Sequence, residues 1–361
     1  MSKAAELAAL IGSQSALSNR NIIINGAMQV AQRGTSFTGF GAAVNYGIDR
    51  FANFHSSDGA FTISQETSVV PTDFTHALKI QTTTADASIA AGQRLILFTR
   101  CEGNAVSQLN FGTSNAKTVT LSFYVRSSIT GTHGGAFGNG SDNRNYPFTY
   151  TISSADTWEQ KTITIPGDQT GTWATGTGRS LQVVWGLGVG STYSGSAGAW
   201  AAGDKNSATG ATTGVLGTLN ATWFITGVQL EVGEQATPFE HRSFGDELRR
   251  CQRYAYKIGG SRNDTYGPGM GLYQDGNEFN FGPVFPPATF RANPALTVFG
   301  TAPAIKINGS ATTGCTATIS CAANEMQFIR LTKSSHGLSG SDVANMNFAS
   351  TSDYIILDAE L

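Results

Sequence analysis

Two periodicities divide the chain. In residues 1–18, Leu7, Leu10 or Ile11, Gln14 and Leu17 recur at spacings of three and four, the stripe of an amphipathic or coiled-coil helix. At four to five turns such a helix is too short to persist alone in water. It is therefore expected to dock, on symmetry mates, on another protein or on its own domain. From Asn21 onward the period changes to two. Val119, Leu121, Phe123 and Val125 alternate with Thr118, Thr120, Ser122 and Tyr124, giving a strand with one apolar and one polar face. Ile163 and Ile165 repeat the pattern, as do Leu181, Val183, Trp185 and Leu187, and then Phe224, Val228, Leu230 and Val232. Turn clusters such as Pro166-Gly167-Asp168 separate the runs.

Successive alternating strands without intervening helices predict antiparallel β-sandwiches. A capping pair, Ser243 and Asp246, opens a predicted helix with Phe244, Leu248, Cys251 and Ala255 on one face. The expected architecture is mainly β: an N-terminal docking helix at residues 1–18, a jelly-roll-like antiparallel β-sandwich at 19–241, a linking helix at 242–257, and a smaller C-terminal β-sandwich at 258–361. Gly282-Pro283 to Pro287 and Asn293-Pro294 mark turns or edges in the last segment.

Composition narrows the class. The chain has 361 residues, of which only 13% are charged, with a net charge of −2 and 43 glycines. Low charge without a basic cluster argues against nucleic acid or anionic membrane as partner. No apolar run is long enough to span a bilayer. The four cysteines, Cys101, Cys251, Cys315 and Cys321, lack Cys-x-x-Cys spacing and read as reduced and buried, with a Cys315–Cys321 bridge as the alternative. Between Gly171 and Thr222 the charges are Arg179, Asp204 and Lys205, beside Trp173, Trp185, Tyr193 and Trp200, and Gly188 to Gly217 is low in complexity. A segment of that length reads as functional or flexible, or as pinned between subunits.

Several motifs resemble a known family. Asn19-Arg20-Asn21-Ile22-Ile23-Ile24-Asn25-Gly26-Ala27-Met28 resembles the opening of a group of bacteriophage tail fibre or virion structural proteins, frequent in phages of aquatic bacteria. Gly227-Val228-Gln229-Leu230-Glu231-Val232-Gly233, Thr237-Pro238-Phe239-Glu240-His241-Arg242-Ser243, and Glu247-Leu248 to Cys251-Gln252-Arg253-Tyr254 are similar to the same proteins in order and spacing. So are Asp49-Arg50-Phe51, Thr157-Trp158-Glu159, Phe290-Arg291-Ala292-Asn293-Pro294 and Asp358-Ala359-Glu360-Leu361. The resemblance implies a carbohydrate-binding-module-like jelly roll in a homotrimeric appendage on the phage particle surface, made in the host cytoplasm. It also implies attachment through the N-terminus to tail, baseplate, neck or capsid proteins. The alternative is a capsid or neck decoration protein, cement or head fibre, with no receptor role.

Sugars present apolar C–H faces to aromatic rings, so Trp173, Tyr193, Trp200, Tyr266 and Tyr273 are the candidate contacts for a host-surface polysaccharide. Leu7, Leu10, Ile11 and Leu17 are the candidate attachment or oligomerisation residues. Trp158 and Trp185 fall on strand patterns and are expected in the core. Gln229 and Glu231 face away from the core, toward a neighbouring strand or subunit. Asp49 reads as half of a buried pair with Arg50, with calcium ligation as the lesser reading. His241 stands without a second ligand at metal spacing. Neither Gly-x-Ser-x-Gly nor His-Glu-x-x-His occurs, and no β-helix repeat is visible, so neither an enzyme nor a cofactor is expected.

Overall fold

A computed structural model describes residues 19–259, 270–275, 278–301, 303–307, 310–312, 315–322, 327–333, 343–348 and 353–361. The docking stripe Leu7, Leu10, Ile11 and Leu17, and Tyr266, lie outside the described residues. The fold is mainly β and divides at Glu247/Leu248 into two compact units.

The first unit is a two-sheet sandwich. Its strands begin with β1 (Ser36–Phe37), β2 (Asn45–Tyr46), β3 (Phe51–His55), β4 (Ala60–Glu66), β5 (Ala77–Thr84), β6 (Arg94–Glu102) and β7 (Val119–Ser127). They continue through β8 (Gly131–Asn139), β9 (Arg144–Ile152), β10 (Glu159–Ile165) and β11 (Arg179–Val189) to the short β12 (Ser194–Gly195), β13 (Ala201–Ala202) and β14 (Ser207–Ala208), and end with β15 (Thr222–Val232). One sheet has the order β1-β4-β5-β15-β7-β10 and the other β13-β9-β8-β11-β6-β3-β2, antiparallel throughout. Between them lie Leu121, Phe123 and Val125 from β7, Leu95 and Leu97 from β6, and Leu181, Val183 and Trp185 from β11, as the period-two pattern requires. Trp185 and Trp223 are fully buried, and truncating either to alanine is expected to cost about 3–5 kcal/mol.

Strand β15 departs from the sequence pattern. Its register slips between Thr226 and Gln229, where Gly227 adopts φ +60°. The bulge inverts the side-chain parity. Trp223 and Ile225 face inward before it, Val228 and Leu230 after it, and Phe224 lies outside the main core cluster. There Trp158 meets Phe224 edge-on at 6.0 Å, so Trp158 packs on the outer face, and of the two strand tryptophans expected in the core, Trp158 and Trp185, Trp185 alone lies there. Val232 is 47% exposed, contrary to the inward position expected for it.

The family-like motifs at residues 19–28 and 227–247 build one clasp. Gln229 and Glu231 are buried against their own chain rather than offered to a partner. The Thr237 amide and hydroxyl donate to Glu231 at 2.8 and 2.6 Å, and the Glu240 amide donates to Gln229 at 2.8 Å. Glu240 in turn accepts from the amides of Asn19 and Asn21 at 2.6 and 2.7 Å. Arg242 donates to the carbonyls of Asn21 and Ile23, and Asn25 donates to Glu247 at 2.5 Å. Gly26 is required where it stands, because a Cβ there would lie 2.1 Å from the Val228 carbonyl oxygen. Asp49 is buried, with Arg33 as an ion-pair partner at 3.9 Å and the Arg50 charge also acting on it, while Arg50 donates to the Arg100 carbonyl. Burial raises the Asp49 pKa, and Arg33 and Gln32 oppose that shift. His241 packs on Phe239 and Phe74 at 4.9 and 5.3 Å.

The helix runs Phe244–Gln252, with the Asp246 amide donating to the Ser243 hydroxyl at 3.2 Å. Its buried side includes Glu247 and Cys251, whereas Phe244 is 56% exposed and Ala255 belongs to the following strand. Of the expected apolar face, Cys251 and Ala255 are buried, Leu248 is half-buried, and Phe244 departs from it by standing exposed.

The second unit comprises β16 (Ala255–Gly259), β17 (Met270–Asp275), β18 (Glu278–Val284), β19 (Ala295–Phe299) and β20 (Ala304–Ile307), then β21 (Ser310–Thr312), β22 (Thr316–Ala322), β23 (Gln327–Thr332), β24 (Val343–Asn347) and β25 (Tyr354–Asp358). They form a three-stranded sheet, β16-β25-β19, and a seven-stranded sheet, β21-β20-β24-β17-β18-β23-β22. Phe279, Phe281, Phe290, Ile329, Leu331, Ile355 and Leu357 are buried between them. Tyr273 lies on β17, paired with Phe279 of β18 in the backbone ladder.

Candidate functional site

Strand β6 is apolar on both faces. Leu95, Leu97 and Cys101 enter the core between the sheets, while Ile96 and Phe98 belong to a separate cluster on the opposite face with Ala52, Val184 and Val189. The unbroken run Leu95-Ile96-Leu97-Phe98 carries that signal, since a strand solvated on one side would alternate. What lies over this outer face is a groove of about 200 Å³, lined by Val44, Phe54, Arg94, Ile96, Phe98, Arg100, Asp142, Gln182, Asp204 and Asn206. From Arg94 to Arg100 it extends on the order of 20 Å at ~3.3 Å per strand residue.

Arg94 organises one end. Its guanidinium carbon lies 3.9 Å from the Tyr193 ring centroid and 4.9 Å from that of Phe54, and the group donates to Asp204 at 2.7 Å and to Asn206. Asn206 is buried and also donates to Asp204 at 2.8 Å, so the carboxylate and the amide are locked together. At the other end, Gln182 donates to Asp142 at 2.7 Å and Arg179 pairs with Asp142 at 2.5 Å. Arg100 lies over Phe98 at 4.4 Å. The groove thus joins aromatic and aliphatic surface to side chains fixed in orientation, with both carboxylates engaged by arginines.

The glycine-rich segment shapes this site by packing flat on its own sheet. A Cβ on Gly134 of β8 would lie 2.2 Å from the Ser207 hydroxyl and 2.9 Å from the Ala208 amide nitrogen. One on Gly186 of β11 would lie 2.9 Å from the Ser207 Cβ. Asn206, Ser207, Ala208, Val215 and Leu216 are buried. Gly188 to Gly217 is therefore a strap over the sheet, held by small residues on both sides, and this placement presents Tyr193, Asp204 and Asn206 to Arg94.

The other sequence candidates separate from Tyr193. Trp173 and Trp200 meet at 5.6 Å and 90°, and both contact Phe111, at 4.9 and 5.9 Å. Trp200 also packs on Tyr146 at 5.5 Å and donates to the Pro166 carbonyl at 2.7 Å. Trp173 donates to Asp168 at 3.3 Å, and buried Asp168 receives a bidentate clamp from Arg144 at 2.7–3.1 Å. Both tryptophans border the core, half-buried. Phe54, Arg94, Phe98, Asp142, Gln182, Asp204 and Asn206 were not singled out by motif or spacing. No group of His, Cys, Asp and Glu suited to a metal occurs among the described residues.

No protein-family model and no curated protein matches the chain. Solved structures with partial similarity include the enzymatically active domain of bacteriophage CBA120 tailspike protein 4, at TM-score 0.32 and 8% identity over 59% of this chain and 22% of that one. A carbohydrate-binding module of family CBM4 is similar at TM-score 0.29 and 14% identity, covering 58% of this chain and 98% of the module. A putative sugar-binding protein from Bacteroides thetaiotaomicron gives TM-score 0.34 and 12% identity, over 59% and 100%. The chain spans about a fifth of the length of the tailspike domain.

Proposed function

We propose that the chain is a phage-particle surface protein, a tail fibre or adhesion appendage, whose first sandwich holds a host-surface polysaccharide in the Arg94 groove. The observation that carries this reading is the groove itself. Phe54 lines it with ring surface for sugar C–H faces, Tyr193 supports Arg94 by stacking on its guanidinium, and Arg94, Asp204, Asn206 and Gln182 offer fixed donors and acceptors. Its length suits several linked sugar rings. Asp142 and Asp204 are each tied up by arginine, which favours binding without turnover.

The virion role rests on the motif resemblance. In this reading residues 1–18 attach the protein to the particle, and three copies assemble. The deciding experiment exposes the purified chain to an array of bacterial surface polysaccharides, with Tyr193→Ala and Asn206→Ala alongside. The expected result is retention of a subset of glycans, undegraded, with loss of at least about tenfold in both variants, the worth of one stacked ring or charged hydrogen bond. Absence of retention, or retention indifferent to both substitutions, refutes the assignment. Light scattering of the full chain and of one lacking residues 1–18 tests the trimer.

A further inference from the structure

A second cavity opens at the end of the first sandwich, away from the Arg94 end of the groove. It is lined by Val106, Ser107, Leu109, Asn110, Phe111, Thr113, Trp173, Ala174, Thr175 and Ser180, and its volume is about 130 Å³. Val106, Leu109 and Ser180 are buried, Phe111, Trp173 and Ala174 are half-buried, and Ser107, Asn110, Thr113 and Thr175 are exposed. No charged side chain lines it. The walls are fixed: Gly103 and Asn104 donate to the carbonyls of Gly178 and Gly176 at 3.0 and 2.9 Å, and the Arg144–Asp168 clamp holds Trp173.

Two observations on Ser180 point to a ligand. Its side-chain oxygen is buried and has no hydrogen-bond partner among the described residues, although the residue is fully enclosed. A buried hydroxyl without a partner is costly and rare. The register of β11 against β6 also slips between Arg179 and Leu181, so Ser180 is the extra residue of a bulge. Bulges of this kind re-aim a side chain, and they gather beside binding sites. A volume near the ~150 Å³ that takes up one benzene-sized ring sets the size of the occupant.

We propose that this cavity is a second saccharide site, taking one neutral sugar ring that bears a methyl group, as N-acetylamino and 6-deoxy sugars do. The methyl group packs on Val106, Leu109 and Phe111, a ring hydroxyl or amide satisfies Ser180, and the polar rim meets the remaining hydroxyls. The inference stands on the cavity alone and does not depend on the groove.

Saturation-transfer NMR on the full chain tests it, using N-acetylglucosamine and fucose as probes, glucuronate as the charged control and indole as the apolar control. The neutral sugars are expected to bind at about millimolar Kd, and glucuronate much more weakly. Ser180→Ala is expected to weaken them roughly fivefold to tenfold, one hydrogen bond's worth, with Tm unchanged or raised because an unsatisfied group has been removed. Thr175→Val, on the exposed rim, provides a second variant that leaves the buried floor intact. Arg94→Ala is expected to leave this binding unchanged. The proposal is overturned if neither sugar binds, if indole binds and the sugars do not, or if both cavity variants bind like the parent. Loss of binding in Arg94→Ala would put the sugar in the groove and equally overturn it, while leaving the groove reading in place.

Discussion

Replacing Gly134 by alanine tests whether the glycine-rich strap is bonded to its sheet by close approach. The added methyl would lie 2.2 Å from the Ser207 hydroxyl, 2.8 Å from the Ala211 Cβ and 2.9 Å from the Ala208 amide nitrogen. Ser207 can rotate, but the Ala208 backbone has to move, so the strap must lift. Overpacking of this kind costs about 1–3 kcal/mol, offset by about 0.4–1 kcal/mol from the stiffer unfolded chain. The expected net loss is about 1–2 kcal/mol, which lowers Tm by roughly 2–8 °C for a domain of this size. Gly186→Ala, whose nearest contacts are 2.9–3.0 Å from Ser207 and Val189 side-chain atoms, is expected to cost less. Gly92→Ala is the control, since nothing lies within 4 Å of its Cβ position, and it is expected to be neutral or slightly stabilising. Differential scanning calorimetry gives the three values, and hydrogen exchange at residues 204–212 locates the loosening. If Gly134→Ala melts with Gly92→Ala and exchanges like the parent, the strap is not packed on β8 and the account of how Asp204 and Asn206 reach Arg94 fails.

Further outcomes follow from buried polar groups. Burial opposes ionisation of Glu240, but the Asn21 and Asn19 amides and Arg242 outweigh it and hold its pKa below the ordinary 4.5. Its contribution is thus complete above pH 4.5 and is lost as pH falls through the depressed value. Urea titrations should show Glu240→Gln costing about 1.5–3 kcal/mol at pH 7 and distinctly less at pH 3, and an equal cost at both pH values would contradict the clasp. Burial pushes the Cys101 thiol up to about 12, so in native protein at pH 8 it should resist alkylation and react on unfolding, as peptide mapping by mass spectrometry will reveal. The Trp223 indole donates to the Tyr150 hydroxyl at 3.2 Å inside the core. Tyr150→Phe should cost about 1–3 kcal/mol by chemical denaturation, and a neutral substitution would mean that the bond is not formed.

Particular residues explain what sequence reading reaches and where it stops. Leu121, Phe123 and Val125 face the core because strand parity is a local property, and Ser243 caps its helix because the cap spans three residues. Phe224 and Val232 defeat the same reasoning, since one bulge at Gly227 inverts a parity that no local pattern announces. Tyr193 can be picked out by its aromatic character amid glycines. Arg94 cannot, because the contact joining it to Asp204 bridges 110 positions of chain and depends on where the strap lies. Gly134 and Gly186 carry that information, but glycine in a strand is equally the mark of a bend or a bulge.

The clasp between residues 19–25 and 228–247 bears on mechanics. Asn19 and Asn21 hang directly on Glu240, and Arg242 grips the carbonyls of Asn21 and Ile23, so the two strands of chain leaving the sandwich are tied to each other at its edge. A pull applied along the chain, from ahead of Asn19 to beyond Arg242, is borne first by those few charged hydrogen bonds in parallel. Strand β15 shares that load through the Ile22–Leu230 and Asn21–Val228 hydrogen bonds, whereas the strap and the groove, on the other sheet, lie off the path.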